Sequence, residues 1–185
     1  MRYRQYLTAT IIALFFTSLS THIQAEQAWE AFFDSTFGDF SEELEIAKSE
    51  NKKSVLIFFE KQMCPFCARM KRTVLNKPHI QNYFRKHFMI YPIDIEGDVE
   101  ITAFNGKQMK LSDFSYKNYN VYASPTFIFF DLDGKEIARY TGVTRNADEF
   151  MWLGEYVVEG AYKTMTFRQY RKNRRTETAQ REASQ

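Results

Sequence analysis

Cysteine is nearly absent from this chain. Two of its 185 residues are cysteines, and both fall in one stretch, QMCPFCARM, as Cys64 and Cys67. With no second pair, a four-thiolate zinc site is excluded. Histidine is hardly more plentiful. Beyond His22 near the start there are His79 and His87, eight positions apart and so not neighbours on successive helical turns. No internal repeat is present, which argues against solenoid and propeller architectures. No apolar run reaches the roughly 20 residues that a membrane-spanning helix requires.

A surplus of one charge is missing too, once the leading segment is set aside. MRYRQYLTATIIALFFTSLSTHIQA opens with Arg2 and Arg4, runs apolar from Leu7 to about Leu19, and closes on polar residues and Ala25. That order is the pattern of a secretory signal peptide, with cleavage expected after Ala25 and a periplasmic destination. Arg2-Tyr3-Arg4 is not a twin-arginine pair, and no cysteine lies near Ala25 to carry a lipid. Of the 25 basic and 23 acidic residues, this segment holds two basic ones. The remainder is formally neutral, which gives nucleic-acid binding no support. After cleavage no stable membrane insertion is expected. Residues 26–167 are long enough for one domain with its own core, and 18 Phe and 11 Tyr supply its packing material. From Arg168 to the end, six basic residues stand against two acidic ones with few apolar side chains. Residues 168–185 are therefore expected to be a frayed, disordered basic tail.

Three apolar runs of strand length stand out: Ser54–Phe59, Phe88–Ile95 and Pro125–Phe130. Continuous rather than alternating, they predict strands buried on both faces. Pro92 inside the second predicts an edge-like position or an irregularity. Around them, AWEAFF and the segment opening at Ser41-Glu42-Glu43 read as two helical pieces. Met70 and Val74 continue a helical stripe from Cys67, Asn76-Lys77-Pro78 breaks that helix, and HIQNYFRKHF resumes it. Residues 99–111 read as a hairpin with a primed turn at Asn105-Gly106, and Ser112 or Asp113 as the cap of a short helix. Lys135–Tyr140 alternates like a half-exposed strand after Asp133-Gly134. Ala147 to about Tyr162 is the last predicted helix. This order predicts an α/β or α+β sandwich around one central sheet.

The cysteine pair has three readings. As a staple it closes a loop far shorter than the 15 residues worth about 3 kcal/mol. As a metal grip it lacks two ligands for zinc, although a two-thiolate copper(I) site near Met63 and Met70 stays open. The reactive reading accounts for more of the sequence. Cys64 follows a strand and precedes Pro65, a residue suited to the first helical position. Backbone N–H groups and the helix dipole there favour a thiolate at Cys64. Cys67, one turn on, shares the apolar face with Met70 and Val74 and should be sheltered. An exposed attacking sulfur and a sheltered resolving one suit thiol–disulfide exchange. Ser124-Pro125, immediately before the third strand, is a candidate cis peptide that would turn the Ser124 backbone toward the dithiol.

On FFEKQMCPFCARMKRTVLNKP, ASPTFIFFDLDGKEIARYTG and FMWLGEYVVEGAY, the chain resembles the thioredoxin superfamily, and within it the SoxW-type periplasmic proteins. The resemblance covers roughly residues 40–167. It implies a three-layer α/β sandwich with a central mixed sheet, Cys64 attacking and Cys67 resolving, no cofactor, and Ser124 and Pro125 meeting the bound partner. Disulfide-containing exported proteins would be the substrates and a membrane thiol donor the electron source. Three positions depart from ordinary thioredoxin. Met63 replaces an aromatic residue, Pro65-Phe66 replaces Gly-Pro, and Phe58 stands where a buried acid relays a proton to the second cysteine. Glu60 is the candidate replacement for that relay. The alternatives are a disulfide oxidase or isomerase, and a non-enzymatic metal-binding or adaptor protein.

Overall fold

The computed structural model describes residues 29–184, so the expected signal segment and its cleavage point lie outside the described residues. Strand β1 (Ser54–Glu60) is buried at every position but its last. A strand apolar on both sides has to be covered on both sides. Its neighbours provide the rest of a four-stranded sheet in the order β2-β1-β5-β6, where β2 is Phe88–Asp94, β5 is Thr126–Phe130 and β6 is Glu136–Thr141. β2 runs parallel to β1, whereas β5 is antiparallel to β1 and to β6. The sheet is therefore mixed, as expected. Pro92 is exposed on β2, an edge strand, where a missing ladder donor is tolerated.

Successive side chains point to opposite faces, and the two faces feed two cores. Leu56, Phe58, Phe127 and Phe129 pack against α2 (Pro65–Met70), α3 (Pro78–His87), α5 (Ala147–Val158) and α6 (Phe167–Ala183). Val55, Ile57, Phe59, Ile128 and Phe130 pack against α1 (Phe40–Ser49) and the short α4 (Leu111–Asp113) with its π-helical continuation, Phe114–Asn118. Helices on both sides of one sheet complete the three layers. A small hairpin of β3 (Glu100–Thr102) and β4 (Gln108–Lys110) lies outside this sheet. In the second core the Tyr91 hydroxyl donates to the buried Glu43 carboxylate. Burial, followed by that carboxylate, holds the Tyr91 hydroxyl well above its ordinary pKa.

Several local expectations are corrected. Asp39 rather than Ser41 caps α1, accepting from the Ser41 and Glu42 amides at 3.0 Å each. α4 begins at Leu111, so neither Ser112 nor Asp113 is its cap. The hairpin turn is not primed. A primed type I turn needs positive φ at both central residues, and of the pair Gly106 alone has it (+77°). The Gly106 amide donates to the Ala103 carbonyl and the Ala103 amide to the Lys107 carbonyl, the three-residue form of loop.

The largest correction concerns the basic tail. Residues 167–183 form the helix α6, opened by a capping box between Thr166 and Gln169. Composition had suggested disorder because apolar residues are few. The helix is held instead by Tyr170, which is buried and donates to Glu159 at 2.7 Å, and by ion pairs to α5. Arg171 and Arg175 both reach Glu149, at 2.6 and 2.8 Å, and Arg174 reaches Glu155 at 2.6 Å. The Glu149 side chain is only 3 % exposed. A buried carboxylate needs such partners, and removing them would leave it uncompensated.

α5 lies close on α3 because Gly154 has no side chain. A Cβ there would stand 2.8 Å from Cζ of Phe84, whose ring stacks on Phe150 at 4.5 Å. Helix propensity favours alanine over glycine by about 1 kcal/mol, while overpacking a filled core costs about 1–3 kcal/mol. The second effect should win, because Phe84 is fully buried with nowhere to shift. Gly154→Ala is expected to lower the urea midpoint, and a raised midpoint would show that the ring can yield.

Candidate active site

The register of β1 with β5 builds the site. Phe59 pairs with Thr126, so the end of β1 and the start of β5 meet at one edge of the molecule. The chain leaving β1 runs through Lys61, Gln62 and Met63 into Cys64, and the chain entering β5 arrives through Ser124 and Pro125. Residues 60 apart in sequence are thereby brought together. The Ser124 hydroxyl lies 3.4 Å from Cys64 Sγ as donor. The Ser124–Pro125 peptide is cis, and Pro125 is buried.

Cys64 is the N-cap of α2, extended in backbone (φ −90°, ψ 102°), with Pro65 at the first helical position. Its Sγ accepts from the Cys67 amide at 3.0 Å. The two cysteines are joined as a disulfide with their Cα atoms 5.2 Å apart. They are not equivalent: Cys64 is half-buried, while Cys67 is 2 % exposed and belongs to the core with Met70, Val74 and Phe58. Met63, with positive φ (53°), and Phe66 are exposed on either side of Cys64, and Tyr122 is exposed two residues before Ser124. The site thus has an apolar rim with a sulfur at its centre.

Beneath the sulfurs the floor is aromatic. Phe58 is fully buried and contacts Phe127 and Phe33 at centroid distances of 4.9 and 5.5 Å. It offers no group that can accept a proton. A groove of about 410 Å³ beside the dithiol is lined by both cysteines and by Glu60 and Lys71, with Glu60 its one carboxylate. Glu60 is neither free in solvent nor isolated, because the Lys71 ammonium contacts both its oxygens at 2.7 and 2.9 Å. Lys71 and its aromatic support Trp29, 4.1 Å from ring centroid to ammonium, were not identifiable from sequence. A lysine in an amphipathic helix carries no signal of a partner on another element. The cysteines, Glu60, Ser124 and Pro125 all converge on this edge, and α6 stays apart from it, packed on α5.

Among the described residues no cluster of three or more His, Cys, Asp or Glu side chains is arranged to hold a metal, and no helix is long and apolar enough to cross a membrane.

Comparison with known proteins agrees with this architecture. A thioredoxin-fold protein from Helicobacter pylori superposes with a TM-score of 0.62 at 21 % identity, over 83 % of this chain and 98 % of that one. A thioredoxin from Thermus thermophilus gives a TM-score of 0.51 at 21 % identity, over 65 % and 84 %. No curated protein matches the sequence. The sequence model of the thioredoxin-like domain matches residues 40–158, which span β1, the dithiol, β5 and α5. The chain therefore belongs to the thioredoxin-like domain family, and its Cys64–Cys67 pair makes it a thiol–disulfide oxidoreductase.

Proposed function

We propose that this protein is exported to the periplasm and there reduces disulfides of partner proteins. Cys64 attacks, and Cys67 resolves the mixed disulfide. The observation that carries this division of labour is the asymmetry of the pair: Cys64 is a half-buried N-cap, and Cys67 is closed into the core. A sulfur at a helix N-terminus is stabilised as thiolate, the nucleophilic form, and burial among apolar groups has the opposite effect. Ser124 and Pro125, beside Cys64, are the contacts for a bound chain, with the Ser124 hydroxyl near the reacting sulfur. The exposed Met63, Phe66 and Tyr122 suit an apolar stretch of protein better than a small polar molecule.

Export rests on the order of residues 1–25. The reducing direction rests on the similarity of FFEKQMCPFCARM and ASPTFIFFDLDG to SoxW-type periplasmic proteins, and it requires a membrane thiol donor to regenerate the dithiol. Disulfide formation is a second reading, favoured by Pro65-Phe66 between the cysteines. A non-enzymatic adaptor is separated from both by covalent trapping. Cys67→Ser should accumulate mixed disulfides with exported proteins, visible on non-reducing gels, and Cys64→Ser should accumulate none. Partners retained equally by both variants would point to an adaptor.

Glu60 is the proton acceptor for Cys67 in this scheme, taking the place of the acid that Phe58 lacks. Water in the groove can bridge the two. Glu60→Gln is expected to slow resolution while leaving the first attack within about twofold. Stopped-flow mixing with a model disulfide reads both steps, and an unchanged second step would remove Glu60 from the mechanism.

A further inference from the structure

Lys71 stands seven residues after Cys64, where α2 loosens into the π-helical turn Lys71–Leu75. Such turns inside helices occur frequently at functional sites. Its ammonium holds both Glu60 oxygens and sits 4.1 Å from the Trp29 ring centroid, with the Phe33 and Phe58 rings each at 5.8 Å. The lysine and glutamate side chains are 15 % and 20 % exposed. An exposed lysine–glutamate pair contributes little, because water screens it and two flexible chains lose freedom to form it. Here the lysine is fixed from below by aromatic faces, which attract a cation most strongly when water is excluded. The pair also forms part of the wall of the groove that contains both sulfurs.

Other charged groups surround this pair without replacing it. Lys61, from the loop after β1, is bound to Glu96 at 2.7 Å. Asp94 of β2 pairs in register with Glu60 and lines a second depression together with Glu60, Lys61, Gln62 and Lys71. The dithiol groove, lined by Cys64 and Cys67, is bordered by Glu60 and Lys71 as well. The Glu60–Lys71 pair thus borders both the dithiol groove and an outer polar depression.

We propose that Lys71 is a positioning residue for the resolving step. Clamped on Trp29, it holds the Glu60 carboxylate in the wall of the dithiol groove, where that carboxylate takes the proton Cys67 releases. The inference rests on the role given to Glu60 above. In the step itself, the Cys67 S–H bond breaks and its proton passes to Glu60. The Cys67 thiolate then attacks Cys64 Sγ. The bond between Cys64 and the partner's sulfur breaks, the electron pair leaves with that sulfur, and water protonates it. The dithiol is oxidised to the Cys64–Cys67 disulfide, the partner disulfide is reduced to two thiols, and Glu60 returns its proton to solvent across the outer surface.

The test uses the full chain, reduced, with 5,5′-dithiobis(2-nitrobenzoate) as the disulfide. Attack by Cys64 releases one coloured thiolate and resolution by Cys67 releases a second, so one trace separates the steps. Lys71→Met is expected to slow the second release about tenfold, less than the roughly 100-fold or more that proton transfer as a whole contributes, because Glu60 is still present, and to leave the first within about twofold. Lys71→Arg should restore the second release, since a guanidinium both stacks on an aromatic ring and binds a carboxylate. The Lys71→Met/Glu60→Gln double variant should be no slower than the slower single variant, as for two residues acting in one step. Trp29→Leu, which keeps the ion pair but removes its support, should slow the second release alone. An unchanged second release in Lys71→Met, equal slowing of both releases, or multiplying effects in the double variant would overturn the proposal. A single release in the wild type would instead overturn the resolving role of Cys67.

Discussion

The antiparallel register of β1 on β5 is the constraint on which everything else depends. Both strands carry apolar side chains on both faces, so both faces must be covered. The pairing of Phe59 with Thr126 then decides which chain ends meet. The same pairing that buries Phe58 against Phe127 delivers Cys64 to Ser124. A slip of one residue would exchange the two cores and separate the sulfur from the Ser124–Pro125 segment. Core and site are thus fixed by one set of backbone hydrogen bonds, and the site residues lie on the loops and the first turn of α2 just beyond it, where a rigid scaffold can position them.

Within that frame, an aromatic core has displaced a charge. Phe58 closes the floor beneath the dithiol with a ring that packs well and cannot exchange a proton. The nearest carboxylate in the groove has moved two residues along the strand, to Glu60, and has acquired a lysine held on Trp29. In the proposed mechanism, packing and proton transfer are handled by different residues. The arrangement leaves Cys67 in apolar surroundings on one side and beside an ordered ion pair on the other.

Much of this was legible in the sequence, for physical reasons. Continuous runs such as SVLIFF and TFIFF point to strands covered on two faces, and a cysteine pair after one and a proline before the other locate the site. Pro92, which lacks a ladder donor, pointed to an edge-like position or an irregularity, and β2 is an edge strand. The basic tail was misjudged because composition measures apolar content. The stability of α6 comes from one buried tyrosine and from arginines that meet Glu149 and Glu155 19 to 26 positions away. The Thr166–Gln169 capping box was the local signal that could have revealed the helix. Lys71 and Trp29 lay further out of reach: a cation 42 positions from its ring is a tertiary fact with no periodicity to betray it.

The central claim, a dithiol that donates electrons to partner disulfides, is tested most directly by the reduction potential of the Cys64–Cys67 pair, measured by equilibration in glutathione or dithiothreitol buffers. The account predicts a value near that of thioredoxin, about −270 mV, at which the reduced pair is a competent donor. A value near about −120 mV, that of a strong disulfide-forming oxidant, would contradict it.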